Sequence, residues 1–106
     1  MKTRALLAAA VLAAFSVTAN ADPLCENGHP AHRRAGVSYG GLPPRHGFVR
    51  DHCLPLGLGG PDTAANIQYQ THEAAQQKDM REWAAIEDYC AGRISLQQAR
   101  SQFHCD

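Results

Sequence analysis

The sequence is short of three features that would each point to a known class of protein. Its four cysteines include no C-x-x-C pair, which argues against a zinc ribbon. Its apolar run from Ala5 to Phe15 has eleven residues, whereas a membrane-spanning helix needs about 20. If Lys2 and Arg4 are set aside as part of a leader, eight Lys and Arg face ten Asp and Glu. The remaining chain therefore lacks the overall positive charge of a strong nucleic-acid binder.

The N-terminus carries the pattern of a secretory signal. Lys2 and Arg4 make a positive start, residues 5–15 are small and apolar, and residues 19–21 (ANA) form an A-x-A cleavage site. We therefore predict a signal peptide over residues 1–21 and no membrane span. Residues 22–106 are expected to be exported, to the periplasm or out of the cell.

The exported chain is small and needs covalent cross-links to stabilise its fold. A domain of about 85 residues buries only about 60–65% of its unfolded surface, so its hydrophobic core is marginal. Four cysteines in an exported chain predict two disulfides. The four cysteines are Cys25, Cys53, Cys90 and Cys105. Three pairings are possible, and the spacing alone does not choose among them.

In chain order, the sequence predicts a small single α+β domain. Residues 22–44 are rich in Gly, Pro, His and Arg and read as an irregular segment. Residues 46–53 and 66–69 are candidate antiparallel strands, separated by a G-G-P-D turn. A long helix is expected over residues 71–92, and a short C-terminal helix over residues 95–103.

The long helix is expected to bury an apolar face. Thr71 reads as its N-cap. Trp83 and Tyr89 are expected in the core, because aromatic residues on helices mostly pack. An approximate helical stripe is formed by Ala75, Met80, Trp83, Ile86 and Cys90.

An Asp-His pair stands near the end of the first predicted strand. Strand alternation would point the side chains of Asp51 and His52 to opposite faces unless the strand bends. Pro55 and Gly57 follow closely and supply an interruption of that kind.

The densest pattern of the chain surrounds this pair. The motif D-H-x-x-P-L-x-x-G-G-x(5)-N-[IL] is matched by Asp51, His52, Pro55, Leu56, Gly59, Gly60, Asn66 and Ile67. With K-D-x-x-E at residues 78–82 and C-A-G-R-I-S-L at residues 90–96, the chain resembles the small exported branch of the HNH endonuclease family. The resemblance covers about residues 45–100. It implies a ββα-metal finger over residues 45–106, with residues 22–44 outside it.

The resemblance also implies a role for each matched residue. In the family the histidine of the D-H pair is the general base, which carries over to His52, and the neighbouring Asp51 carries over as a metal ligand. Asn66 matches the residue that orients the base and its loop through side-chain hydrogen bonds. The roles suit phosphodiester hydrolysis, since a neutral imidazole can take a proton from water. A divalent metal with open sites can neutralise phosphate charge and help the leaving alkoxide.

The second metal ligand departs from the family pattern. The family takes it from the first turns of the helix, just upstream of the lysine, but this chain has Ala74 and Ala75 there, which cannot bind a metal. His72 and Glu73 are the available substitutes, and His72 is preferred because imidazole suits transition metals. The expected cofactor is a divalent ion: Mg²⁺, Mn²⁺ or Zn²⁺.

Two basic residues near the motif have two interpretations each. Arg50 either binds substrate phosphate or is a surface arginine. Lys78 either binds phosphate or pairs with Glu82 at i,i+4.

The resemblance also bears on the disulfides. Exported relatives resemble this chain in having one cysteine near the mature start and one in the C-A-G tail. This implies the pair Cys25–Cys90, and Cys53 would then pair with Cys105.

The predicted function is that of an exported, metal-dependent endonuclease that cuts DNA, or RNA, with low sequence specificity. One alternative is a catalytically inactive HNH-like module that binds a metal, a nucleic acid or a protein. Another is a small disulfide-stapled interaction module in which the Asp-His pair is structural. The sequence leaves the oligomeric state open.

Overall fold

The part of the chain that the structure describes has two short antiparallel sheets, two α-helices and two disulfides. The structure is a computed structural model that describes residues 23–31 and 36–106. The predicted signal peptide, residues 1–21, lies outside the described residues. In chain order the elements are β1 (Cys25–Glu26), β2 (His29–Pro30), β3 (Val49–His52), β4 (Ile67–Gln70), α1 (His72–Cys90) and α2 (Leu96–Arg100). The predicted α+β class is confirmed.

The central unit is the antiparallel pair of β3 and β4 followed directly by α1. Asp51 lies opposite Gln68 and His52 opposite Ile67 in the sheet. Thr71 begins the helix as predicted, because its hydroxyl accepts a hydrogen bond from the main-chain N–H of Ala74. The two strands and the start of α1 thus form one continuous local structure.

The C-terminal helix α2 is shorter than predicted but begins where the sequence indicates. Ser95 and Gln98 form a reciprocal capping box at its start. The helix ends at Arg100 rather than at Phe103. Phe103 is nevertheless buried in the core.

Two described parts of the segment before the central unit have more regular structure than the sequence predicts. β1 and β2 pair as a small antiparallel sheet, and residues 39–41 form a 3₁₀ turn. Asp62, from the loop between β3 and β4, accepts hydrogen bonds from the main-chain N–H groups of Ser38 and Tyr39. Residues 38–39 therefore pack on the central unit as part of the same structure.

The core lies between α1, α2 and the loop that joins β3 to β4. Its buried members are Leu58, Ala85, Ile86, Ala99 and Phe103. Tyr89 packs against this cluster, in agreement with the sequence.

The predicted apolar face of α1 is wrong at two positions. Met80 and Trp83 are 73% and 59% exposed. The buried side of the helix instead follows Ala75, Lys78, Ala85 and Ile86. These positions share a helical face at 3.6 residues per turn. Because this face contains a lysine, the apolar pattern of the sequence does not predict it.

Both predicted disulfides are confirmed. Cys25–Cys90 joins β1 to the end of α1, and Cys53–Cys105 joins the residue after β3 to the C-terminal segment. The described residues contain no free cysteine.

Candidate active site

A cavity of ≈ 260 Å³ lies where the end of β3 meets the middle of α1. Both Asp51 and His52 border it. They are the last two residues of β3, and the chain bends at Cys53 and Leu54 directly afterwards. The interruption of the strand that the sequence predicts is thus present, and neighbouring residues of one strand share one cavity.

His52 is buried and held on two sides. Its ring Nε2 lies 2.8 Å from Oδ1 of Asp62, and its side chain is 9% exposed. The ring of Tyr39 lies against it, with the ring centroids 5.2 Å apart. Within residues 23–31 and 36–106, no hydrogen bond forms to the other ring nitrogen, Nδ1.

The carboxylate of Asp62 accepts four hydrogen bonds. Besides His52, the main-chain N–H and hydroxyl of Ser38 donate to Oδ2, and the main-chain N–H of Tyr39 donates to Oδ1. The hydrogen bond with His52, joined by those from Ser38 and Tyr39, holds the pKa of the Asp62 carboxyl well below its usual range. An ionised Asp62 is an acceptor only, so a neutral His52 must carry its proton on Nε2.

Sequence reasoning missed Asp62 as a site residue. In the sequence it follows Gly59, Gly60 and Pro61 and is indistinguishable from an aspartate that merely favours a turn. Its contact with His52 spans ten positions of the chain, and it depends on how the loop folds back.

Asn66 holds that loop in place. Its Nδ2 donates to the carbonyl oxygens of Leu54 and Pro61, both at 2.9 Å, and its Oδ1 accepts from the N–H of Leu54. These contacts tie Asn66 to Leu54 and Pro61, and its role in a catalytic site stays a prediction. The imidazole of His52 is held by Asp62 instead, so the loop and the imidazole are oriented by two different residues.

Lys78 is buried, and its ammonium is surrounded by protein acceptors. Nζ lies 2.8 Å from the main-chain oxygen of His52, 3.0 Å from Oδ2 of Asp51 and 2.5 Å from Oε2 of Glu82. The predicted pairing with Glu82 is therefore present. The alternative role of Lys78, a contact to substrate phosphate, has no support from this geometry.

Three carboxylates come together beside His52. One oxygen each of Asp51, Asp79 and Glu82 lies within 4.8 Å of the others. Burial raises the pKa of Glu82; Lys78 opposes the shift, and the negative charges of Asp51 and Asp79 add to it. The sequence offered Asp79 and Glu82 only as part of the K-D-x-x-E pattern, and their helical spacing of three was the available signal.

The structure does not bring His72 and Glu73 to this group. Both are exposed in the first turn of α1 and neither borders the cavity. Ala75, one turn further on, borders the cavity and has no ligand atom. The carboxylates that accompany Asp51 come instead from the second and third turns of the helix.

Arg50 borders the cavity in a fixed orientation. Its Nη1 donates to the carbonyl oxygen of Leu42 at 2.8 Å, and its guanidinium lies 4.1 Å from the ring centroid of Tyr39. Guanidinium stacking on an aromatic face restricts the side chain. Within residues 23–31 and 36–106, its other N–H donors make no hydrogen bond.

Comparison with known proteins found no matching family model, no matching curated protein and no matching solved structure. Among the described residues, no helix combines the length and apolar character needed to cross a membrane. The function must therefore be argued from the geometry of the cavity and its residues.

Proposed function

We propose that the chain is an exported, metal-dependent endonuclease of the HNH type that hydrolyses phosphodiester bonds of DNA, or of RNA. One observation carries the proposal: His52, held through Asp62, borders the same cavity as Asp51, Asp79 and Glu82. A base and a group of hard anionic ligands, side by side, are what metal-assisted phosphodiester hydrolysis requires.

His52 is the general base in this proposal. Because Nε2 donates to Asp62, the lone pair of the neutral ring lies on Nδ1. Nδ1 takes a proton from the attacking water as the new oxygen–phosphorus bond forms. The bond from phosphorus to the leaving oxygen breaks, and that oxygen takes a proton from solvent. Asp62 stabilises the imidazolium without becoming protonated.

The acidic group fits a hard divalent cation. Its donors are carboxylate oxygens, which Mg²⁺ and Mn²⁺ prefer, whereas zinc sites in proteins rely mostly on histidine and cysteine. Asp51, Asp79 and Glu82 would hold the ion, in place of the predicted set of Asp51 with His72 or Glu73. When bound, the ion supplies neutralisation of the phosphate oxygens and stabilisation of the leaving alkoxide.

Arg50 is the proposed phosphate contact. It borders the cavity, and Leu42 and Tyr39 hold its guanidinium before any ligand arrives. A planar donor fork held in this way suits a phosphate. Contacts to phosphate carry no base information, which agrees with low sequence specificity.

The proposal is tested by incubating the oxidised chain, residues 22–106, with supercoiled plasmid and Mg²⁺ or Mn²⁺. We expect metal-dependent nicking, reduced at least about 100-fold in His52→Ala, since general-base catalysis contributes about that much or more. His29→Ala, which removes an exposed histidine of β2, should nick like the wild type. Equal, metal-independent background in all three proteins would reject the enzyme.

A second candidate function is an inactive HNH-like module that binds a metal or a nucleic acid without cutting. Two observations favour it: Ala75 borders the cavity near the place where the family pattern has a ligand, and Lys78 already pairs with Asp51 and Glu82. Mn²⁺ binding measured by calorimetry, with no nicking of plasmid or RNA under any metal, would select this function.

A further inference from the structure

Lys78 uses its whole hydrogen-bonding capacity inside the protein. It is only 3% exposed, and a buried ammonium is costly unless its donors are paired. An ammonium has three N–H donors, and three acceptors surround Nζ: His52 O, Asp51 Oδ2 and Glu82 Oε2. The centroid of the Phe103 ring also lies 5.4 Å from Nζ. Nothing in this arrangement is left for a substrate.

Two of the three acceptors belong to the Asp-His pair itself. One ammonium from α1 therefore ties together the main chain of the base and the side chain of its carboxylate neighbour. The end of β3 carries both, and the loop that follows departs at Cys53. Lys78 is thus the direct link between the helix and the strand end that forms the cavity wall.

The same ammonium is the counter-charge of the acidic group. Asp51 and Glu82 each place one carboxylate oxygen within 3.0 Å of Nζ, and the third member, Asp79, makes no ion pair within the described residues. Without Lys78, three carboxylates would face one another with no cation between them. A divalent ion at the same carboxylates would meet the positive charge of Lys78 directly.

We propose that Lys78 is a positioning residue and the resident cation of this site. It holds Asp51 and His52 in place when no divalent ion is bound, and it competes with that ion for the carboxylates of Asp51 and Glu82. The inference rests on the proposed function, in that it takes the acidic group to be the metal site.

The test is Mn²⁺ binding to the oxidised chain, measured by calorimetry with no nucleic acid present. Lys78→Met keeps the length of the side chain and removes its charge. We expect Mn²⁺ to bind about tenfold more tightly, since a unit charge at contact distance alters the affinity of a carboxylate for a cation by at least that factor. Arg81→Met is the matched control, because it removes the same charge from an exposed position of the same helix.

Thermal unfolding gives a second readout. Lys78→Met should unfold at a lower temperature than the wild type without metal, and Mn²⁺ should raise its Tm by more than it raises that of the wild type or of Arg81→Met. A lysine that serves only for packing would lower the Tm with no larger effect of Mn²⁺. Mn²⁺ affinity in Lys78→Met that is no higher than in Arg81→Met would overturn the proposal.

If Lys78→Met does not fold, Mn²⁺ binding is compared in chains that also carry Glu82→Gln, because this change removes one of the carboxylate charges that repel one another. Glu82→Gln and the double variant Lys78→Met/Glu82→Gln differ only in the ammonium. Tighter Mn²⁺ binding by the double variant supports the proposal, and equal or absent binding overturns it. Because nucleic acid is left out, the result is independent of cleavage: absent nicking with this gain in affinity would reject the nuclease and keep the role of Lys78.

Discussion

Among single residues, Asp62 has the most direct influence on the orientation of His52. It accepts a hydrogen bond from His52, and it also accepts from Ser38 and Tyr39, which lie in a different segment of the chain. Tyr39 in turn lies against the imidazole ring. One carboxylate therefore joins the 38–39 segment, the loop after β3 and the proposed base.

Asp62→Asn is expected to reduce plasmid nicking by about 10- to 100-fold, the usual effect of losing an orienting partner of a site residue. An amide keeps the shape of the carboxylate but neither stabilises the imidazolium nor selects the Nε2–H tautomer. The rate of nicking at neutral pH is the measurement. Asp88→Asn is the control, because the carboxylate of Asp88 accepts a hydrogen bond from the exposed Arg93 and not from His52. Unchanged nicking by Asp62→Asn would show that the base does not depend on this bond.

Asp62→Asn also changes how the stability of the protein depends on pH in acid. Because the pKa of Asp62 is depressed in the folded chain, its stabilising effect is complete above the unfolded value of about 4. As the pH falls from there towards the folded pKa, the unfolded chain binds the proton first and stability is lost. Urea unfolding between about pH 4.5 and 2.5 should therefore show a steeper loss of stability for the wild type than for Asp62→Asn. Equal slopes would contradict the depressed pKa.

At the scale of elements, the loop between β3 and β4 determines whether the cavity has its shape. Asn66 ties the loop to Leu54 and Pro61. Gly60 is buried where the loop turns back on Leu54: a Cβ there would lie 1.9 Å from the carbonyl oxygen of Leu54. A Cβ on Gly57, in the same loop, would instead meet the end of the Ile86 side chain, at 2.6 Å.

These two glycines make a matched test of the loop. Gly60→Ala should lower the free energy of unfolding by about 3 kcal/mol, because backbone must shift to relieve the contact. Gly57→Ala should cost about 1 kcal/mol, because a flexible side chain can move away. Neither glycine has a left-handed φ, so the difference isolates the steric effect. Urea unfolding of both variants is the measurement, and equal losses would mean that the loop is not held tightly at Leu54.

At the scale of the whole molecule, the two disulfides close loops of similar length but lie in different places. Their cysteines are 65 and 52 positions apart. Chain-entropy arguments give about 4 kcal/mol for each, a large part of the 5–15 kcal/mol that stabilises a typical domain. Cys53 directly follows His52, whereas Cys25–Cys90 joins β1 to the far end of α1.

Removing each pair as a double serine variant should therefore separate stability from activity. Cys25→Ser/Cys90→Ser and Cys53→Ser/Cys105→Ser are expected to lose similar stability, about 4 kcal/mol each. At a temperature where both remain folded by circular dichroism, the second variant should lose more nicking activity, because its cross-link anchors the chain beside the base. Equal activity of the two folded variants would show that Cys53–Cys105 serves stability alone.

The sequence by itself determined the features that depend on neighbours in the chain. Thr71 and Ser95 start their helices through hydrogen bonds to residues three positions ahead. Gly59 and Gly60 mark the turn after β3, and strand-favouring residues on either side of it indicate the two central strands. The i,i+4 pairing of Lys78 with Glu82 is of the same kind. Local hydrogen bonds and steric preferences suffice for such features, since they involve a few adjacent residues.

Only the tertiary structure decided which distant residues meet. Asp62 reaches His52 because the loop folds back, and Asp79 and Glu82 join Asp51 because α1 packs against β3 with one particular face. That face includes the buried Lys78 and the half-buried Glu82, and the charge of Lys78 is tolerated there because it pairs with Glu82 and with Asp51. A search for an apolar stripe selects Met80 and Trp83 instead, which packing leaves exposed. Which face of α1 turns inward depends on contacts across the fold. The acidic group beside His52 forms only when this particular face packs against β3.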